Sequence, residues 1–441
     1  MISGANGNAH EARQESLRFL ERLFENTDRR GVRIRFWDGA VWPDPDGGEA
    51  PATVVLKHPG SLRSMFSSAS EVRIGEAFIY DDFDIEGDVK TVLAIADDLA
   101  RNRPNLLALA DMARTLRKLP RERRRISPVR GPASLRGRQH SVERDRQAVQ
   151  YHYDLSNDFF RLWLDRGMVY SCAYYGAPGD SLDTAQERKL DYICRKLRLK
   201  PGERLLDIGC GWGGLVMWAA ERYGVRALGI TLSENQARYA DEQIRAAGLQ
   251  ELCRVELRDY REVDEPGAFD KLVSVGMFEH VGAELMPVYF RLPYRLLKPG
   301  GVFLNHGIAA SPHHRRQGRD SFIDRYVFPD GELIPINTSL HAAEEEGFEV
   351  RDVESLREHY ALTLEEWLRR LEDKHAAAVE IVGEEHYRTM RMYMSASAYG
   401  FRRGSLSVFQ TLLAKPHENG DAGLPLTRED WYAGARTGRS G

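Results

Sequence analysis

The chain has 441 residues, 42% of them hydrophobic and 29% charged, with 62 basic against 66 acidic side chains and a net charge of −4. That length allows more than one hydrophobic core, so two domains are expected, and the near-balanced charge excludes a global attraction to nucleic acid or membrane. No run approaches the ~20 apolar residues of a spanning helix, and the four cysteines, Cys172, Cys194, Cys210 and Cys253, form no C-x-x-C pair or zinc spacing, so neither a disulfide framework nor a metal site is expected.

The start, Met1-Ile2-Ser3, has no basic end and no apolar leader, which reads as a cytosolic protein without a cleaved signal. Residues 1–113 read as a small α+β domain. A polar, frayed end leads into an amphipathic helix around Leu17, Leu20 and Phe24, and Arg33 to Trp37 alternates at the period of a strand. Asp38-Gly39 supplies a turn, and Ala52 to Leu56 is a second strand. The stretch Ile74 to Gly87 is rich in aromatics and acids; it either packs a small module or holds a lipid or a partner subunit. Asp88 is placed to cap a helix carrying Val92, Leu93, Ala96 and Leu99.

Residues 114–146 carry twelve basic against three acidic side chains, a net of +9, and Pro120, Pro128, Pro132, Gly131 and Gly137 mark the middle as a linker. Such a run is either a plain solvated segment or a docking strip for an anionic surface. A bilayer suits it, at ~1 kcal/mol per basic residue near the membrane. No nucleic acid is expected, since no aromatic interleaves Arg121 to Arg138 as a stacking platform.

Residues 147–415 read as one catalytic domain. Val149 to Tyr175 mixes aromatic and polar residues too densely for a surface helix, and Thr184 to Leu197 is a helix delivering the chain to LDIGCGWGG at Leu206–Gly214. There Asp207 ends an apolar strand, three alternate glycines make the turn, and Leu215 to Ala220 restarts as a helix; this is how backbone N–H groups are brought to a polar ligand. Further strands follow at 226–230, 253–257, 270–275 and 301–305, with helices at 233–244, where Ser233 is an N-cap, and 289–297. Strands separated by helices give an open, mainly parallel sheet with its chemistry at the carboxyl ends. From Ser311 onward, 322–329, 354–371 and 386–404 read as helices over the open end of the sheet, and residues 416–441 as a disordered tail.

The spacing D-x-G-x-G-x-G-G resembles the S-adenosylmethionine loop of class I methyltransferases, a Rossmann-like α/β fold. The full set of motifs is more specific: YHYDLSNDFF at Tyr151–Phe160, YSCAYY at Tyr170–Tyr175, LDIGCGWGG, TLSENQ at Thr231–Gln236, VGMFEHVG at Val275–Gly282, NHGI at Asn305–Ile308, RYVFPDG at Arg325–Gly331 and AYGFRRG at Ala398–Gly404. Together they resemble the cyclopropane-fatty-acyl-phospholipid synthases and their mycolic acid relatives, closely over residues 150–410 and loosely over 30–100. The resemblance implies methyl transfer from S-adenosylmethionine to the cis double bond of a phospholipid acyl chain, with proton removal by a bound bicarbonate and closure of a cyclopropane ring. It also implies a helical cap over the active site. An alkene is a weak nucleophile, so the reaction needs an in-line, water-excluded pocket and a fixed base.

Carried over from the same resemblance, the cofactor residues are Tyr170, Ser171, Gly209, Gly211, Thr231, Leu232 and Gln236, with Asp259 and Tyr260 at the adenine. The acid usual at the end of the second strand is absent, and Gln236 is the family's substitute. The bicarbonate cradle is the backbone of Cys172 and Ile308 with the side chains of Glu279, His306 and Tyr360. Each side chain also has a purely structural reading, as a core histidine, a capping acid or a packed tyrosine. Cys172 has no activating neighbour in sequence and reads as a pocket wall. The implied surface is an unsaturated, anionic phospholipid bilayer met from the cytoplasmic side, with a homodimer left open. A relative making exomethylene or methyl-branched chains, and an inactive membrane-docking scaffold, stand as alternatives.

Overall fold

A computed structural model describes residues 3–27, 31–43, 50–68, 70–102, 104–121, 131–312 and 321–432, which fall into two units. The first comprises residues 1–132, 320–327 and 375–399; the second comprises 133–319, 328–374 and 400–441.

In the first unit, β1 (Val32–Arg35), β2 (Val41–Trp42), β3 (Ala52–Leu56) and β4 (Phe83–Gly87) form a sheet in the order β2-β1-β3-β4. The predicted alternation buries Val32, Ile34 and Phe36 and turns Arg33 and Arg35 outward. Asp88 caps the helix Val89–Arg101, accepting from the Lys90 N–H at 3.1 Å. The aromatics of 74–87 pack into this core: Phe78, Ile79, Phe83 and Ile85 are buried. Its acids have a distant partner. Arg388 places its guanidinium over the Phe78 ring, donates to the Phe78 and Phe83 carbonyls at 2.7 Å each, and meets Asp81 and Asp84 at 3.2 Å.

Those contacts correct the contiguous domain boundaries read from sequence. Residues 375–399 belong with the N-terminal unit because buried Arg388 and part-buried Arg391 need the carbonyls and carboxylates found there. The basic linker is also shorter than 114–146. Residues 114–118 end the helix Leu106–Lys118, and 142–146 begin the helix Val142–Tyr153, capped by Ser141. Residues 122–130, which hold Arg123, Arg124, Arg125 and Arg130, lie outside the described residues.

The second unit is built on seven strands: β5 (Arg204–Ile208), β6 (Arg226–Thr231), β7 (Cys253–Leu257), β8 (Phe269–Val275), β9 (Leu297–Ala310), β10 (Glu349–Ser355) and β11 (Leu406–Ala414). Their order is β10-β11-β9-β8-β5-β6-β7. β5 to β9 run parallel, and β11 and β10 extend the sheet antiparallel beyond β9. Two apolar cores flank the sheet, one including Ile193, Val216 and Ala219, the other including Tyr289, Phe290 and Leu296. The fold is the expected α/β Rossmann-like sheet.

Two expectations from Ser311 onward fail. The three stretches read as helices do contain the helices Phe322–Tyr326, Arg357–Asp373 and Glu384–Arg403, but the segment also contributes β10 and β11, which were not expected. β10 alternates acids with valines at an edge, and β11 is too short and too apolar for periodicity to separate strand from buried helix. The tail is not loose either up to Tyr432. Trp431 is buried in the first core beneath Lys196, Arg198 and Arg428, and its carbonyl accepts from Arg195 at 2.8 Å. Residues 433–441 lie outside the described residues.

Candidate active site

All nine residues expected to hold the cofactor line one cavity at the carboxyl ends of β5, β6 and β8. The glycine loop is forced open by its geometry. Gly209 has φ +82°, and a Cβ there would lie 2.8 Å from the Met277 Cβ, so no side chain fits between the loops after β5 and β8. The N–H groups of Gly209 and Cys210 both donate to the Ile230 carbonyl at 3.0 Å, tying the loop to β6.

At the end of β6 the Thr231 hydroxyl donates to Gln236 Oε1 at 2.7 Å, which leaves the Gln236 amide nitrogen as the donor for a ligand. Ser233 caps the helix Glu234–Ala246 as predicted, accepting from the Gln236 N–H at 3.2 Å, and donates to Asp154 at 2.7 Å. Past β7, Asp259 and Tyr260 line the cavity, but the Asp259 carboxylate is committed: Arg261 donates to its two oxygens at 2.8 and 2.7 Å and to Asp145 at 2.9 Å. The tyrosine ring is therefore the surface left for a flat base. Tyr170 sits among Trp163 and Trp367, each 5.1 Å away centroid to centroid, and its hydroxyl is 3.2 Å from His152 Nε2.

Two charged residues on this wall were not among the expected cofactor residues, although Asp207 is the acid of the glycine-loop motif. Asp207 is buried, its Oδ1 has no partner, and burial pushes its carboxyl up to about 7 against the opposing pull of Lys189. Lys189 is 1% exposed, donates to the Ser171 hydroxyl at 2.8 Å, and is driven down to about 8 by burial. A signal for Lys189 existed. On the helix Leu182–Lys196 the buried stripe Leu182, Ala185, Gln186, Lys189, Ile193 and Lys196 carries two lysines where apolar residues belong. With an unsatisfied buried carboxylate oxygen, a bare glycine loop, a free amide donor and an aromatic face, the cavity fits a nucleoside bearing a cationic amino acid, as S-adenosylmethionine does.

The five residues expected at the bicarbonate lie outside that lining, although their chain neighbours Ser171, Met277 and His280 belong to it. Glu279 follows β8 in a short turn. Its Oε1 accepts from the Ile308 N–H at 2.7 Å, its Oε2 is buried without a partner, and burial raises its carboxyl to about 7. His306 lies on β9 with Nε2 buried and unpartnered; burial, with Lys189 and Lys196 adding, holds it far below the usual histidine range and hence neutral. Cys172 has its thiol against the Ala173 and Leu356 carbonyls at 3.3 and 3.8 Å, and burial pushes that thiol well up, away from a thiolate role.

Tyr360 starts from the same Leu356 carbonyl, which accepts its N–H at 3.0 Å on the helix Arg357–Asp373. Its ring meets Phe401 at 4.7 Å and Trp367 at 6.0 Å, and Trp367 in turn touches Tyr170. Glu279 and Ile308 are thus joined directly, while Cys172 and Tyr360 share the Leu356 anchor. A cavity wall with this donor set and an aromatic face can bind a cofactor. Among the described residues no cluster of His, Cys, Asp and Glu could hold a metal, and no helix is long and apolar enough to cross a membrane.

The family described as mycolic acid cyclopropane synthetase matches residues 140–411, and a domain family of unknown function, DUF7884, matches residues 19–103. The chain is 39% identical over 404 residues to a probable fatty acid methyltransferase of Pseudomonas putida, covering 91% of this chain and 96% of that one. It is 39% identical over 269 residues to the cyclopropane-fatty-acyl-phospholipid synthase of Escherichia coli strain K12, covering 61% of this chain and 68% of that one. The crystal structure of mycolic acid cyclopropane synthase CmaA1, complexed with SAH and CTAB, superposes with a TM-score of 0.58 at 39% identity, covering 61% of this chain and 97% of that one. Fold, cofactor cavity and these relationships agree: the chain is an S-adenosylmethionine-dependent methyltransferase belonging to the mycolic acid cyclopropane synthetase family.

Proposed function

We propose that this enzyme transfers a methylene group to the cis double bond of unsaturated acyl chains of membrane phospholipids, giving cyclopropane fatty acids, with bicarbonate as the base. The observation that carries the reading is that Glu279 Oε2, just after β8, and His306 Nε2, on β9 beside β8, are both buried without a partner. An unsatisfied buried polar group costs about 1–3 kcal/mol, so a small hydrogen-bonding ligand that partners each of them would offset that cost.

Bound S-adenosylmethionine supplies the electrophilic methyl group, and bound bicarbonate supplies the base. Tyr170, Ser171, Thr231, Leu232, Gln236 and Tyr260 would hold the first, with the Asp207 carboxylate as counter-charge for its ammonium. Glu279, His306 and Tyr360, with the Cys172 and Ile308 backbones, would hold the second. The Glu279 carboxyl at about 7 is protonated part of the time near neutral pH, so it can donate a hydrogen bond to an oxyanion without being lost as an acceptor. Trp163, Trp367, Phe160 and Tyr170 form an aromatic wall that excludes water, which would otherwise capture a cation as an alcohol.

Two features support peripheral docking on an anionic bilayer. One is the +9 segment 114–146. The other is the first turn of the helix Leu106–Lys118, where Leu106 and Leu107 are 84% and 83% exposed immediately before that basic stretch. Cosedimentation with anionic but not neutral vesicles at low salt, lost at high salt, is expected; binding that survives replacement of Arg121, Arg123, Arg124 and Arg125 by Ser would exclude the basic segment as the docking element.

A second reading is favoured by one finding. A relative that matches nearly the whole chain carries the name probable fatty acid methyltransferase, which allows an exomethylene or methyl-branched product. Incubation with unsaturated phospholipid vesicles and labelled cofactor, followed by proton NMR of the isolated lipid, separates the two. Far-upfield ring methylene protons are expected; vinylic protons without them would overturn the cyclopropane product, and no bicarbonate dependence would overturn the base.

A further inference from the structure

Gln410 lies on β11 directly opposite His306 on β9, in register across the antiparallel pair. It is fully buried, which is rare for glutamine unless the amide has a task. Its Nε2 stands 3.3 Å from His306 Nδ1, while its Oε1 has no partner. His306 is neutral, so its ring has one N–H and one lone pair, and the partner of Nδ1 decides which nitrogen carries the proton.

An amide nitrogen can only donate. In the arrangement seen, Nδ1 must accept, so the proton resides on Nε2, the atom that is buried and unpartnered. With the amide turned round, Oε1 would accept from an Nδ1–H, and both hydrogens of the amide nitrogen would be buried without an acceptor. Without a ligand the two arrangements leave equal numbers of N–H groups unpartnered: Nε2–H and the second amide hydrogen in the one, both amide hydrogens in the other. An anion at Nε2 relieves only the arrangement seen, because it accepts from an Nε2–H and repels a lone pair.

We propose that Gln410 is a positioning residue that fixes His306 as the Nε2–H tautomer, so that the imidazole offers a hydrogen-bond donor, not a lone pair, at its free nitrogen. Both the choice of tautomer and the role of that donor rest on the reading above, in which Nε2 meets a small anion; the 3.3 Å approach of Gln410 to Nδ1 does not. The consequence for the reaction is a division of labour. His306 binds and orients the anion, and proton acceptance is left to the anion and to Glu279.

The test is 15N NMR of histidine-labelled protein without lipid, with the His306 signals assigned by their loss in His306→Asn from among the 13 histidines. Pyrrole-type nitrogen at Nε2 and lone-pair nitrogen at Nδ1 are expected. Gln410→Glu, whose carboxylate only accepts, should invert the two and lower kcat about 10- to 100-fold, with KM for S-adenosylmethionine changed less than about twofold. Gln410→Leu keeps the volume if a buried carboxylate prevents folding, and should lower kcat alike while releasing the tautomer preference. An Nδ1–H proton in the parent, or an unchanged tautomer and kcat in Gln410→Leu, would overturn the proposal. Because the spectrum is read without substrate, it reports the tautomer directly, and an enzyme independent of bicarbonate would refute the anion reading without changing the tautomer observed.

Discussion

On the wall of the cofactor cavity the buried Asp259 has both carboxylate oxygens on Arg261, whereas Glu279, a short distance along the chain, keeps one oxygen on a backbone N–H and the other on nothing. Thr231 donates to the Gln236 carbonyl and Lys189 to the Ser171 hydroxyl, while His306 keeps Nε2 open. A wall whose polar atoms are mostly paired within the protein is preformed and binds with little rearrangement. Buried polar atoms left unpaired cost stability, and in the proposed reading they are offset by a bound reactant. Asp207 is the exception on the wall, since its Oδ1 is buried without a partner.

The sharpest break of this contrast is Glu279→Gln. The amide oxygen can still accept from Ile308, so affinity for S-adenosylhomocysteine by titration calorimetry should change less than about twofold, while methyl transfer falls about 10²–10⁴-fold. Weakened binding comparable to the activity loss would move Glu279 to the cofactor wall. The opposite behaviour is expected of Arg261→Ala, which strands the carboxylates of Asp259 and Asp145. Thermal and denaturant unfolding should show a loss of about 2–4 kcal/mol, discounted because the guanidinium is 19% exposed, together with weaker cofactor binding. An intact stability would show that the clamp is not holding the wall.

Gly209→Ala tests the loop itself. Positive φ and the 2.8 Å approach to Met277 should cost about 1–3 kcal/mol and weaken S-adenosylhomocysteine binding by about tenfold or more; normal binding would mean that the loops after β5 and β8 can separate freely. The smallest effect concerns pH. Burial raises the Glu279 carboxyl from 4.5 to about 7, so the folded chain holds that proton more tightly than the unfolded chain does. Stability therefore falls as pH rises from about 4.5 to about 7 and stays lowered above, and below that window the group contributes no penalty. Glu279→Gln removes the penalty. Its Tm should match the parent at pH 4.5 and exceed it at pH 8 by about 2–4 °C. Equal Tm values at both would mean that the carboxylate has a compensating partner.

By itself the sequence determined what can be read within about ten residues. Apolar runs broken by glycines marked β5 to β8, short polar residues before helices marked the caps Asp88 and Ser233, and the residues carried over from the family motifs as cofactor-binding all line one cavity, those of the glycine loop and after β6 and β7 close behind strand ends. Only the tertiary structure decided the partnerships that cross the chain: Arg261 with Asp145, 116 residues apart, Gln410 with His306, 104 apart, and Arg388 with the Phe78 carbonyl, 310 apart. Buried lysine, aspartate and glutamine look like surface residues in a sequence, since their types carry no sign of burial. The cost of leaving a charge or an amide without water depends on which distant segment packs over it, and that is why the burial of Lys189, Asp207 and Gln410 and the place of Trp431 became visible only in the folded chain.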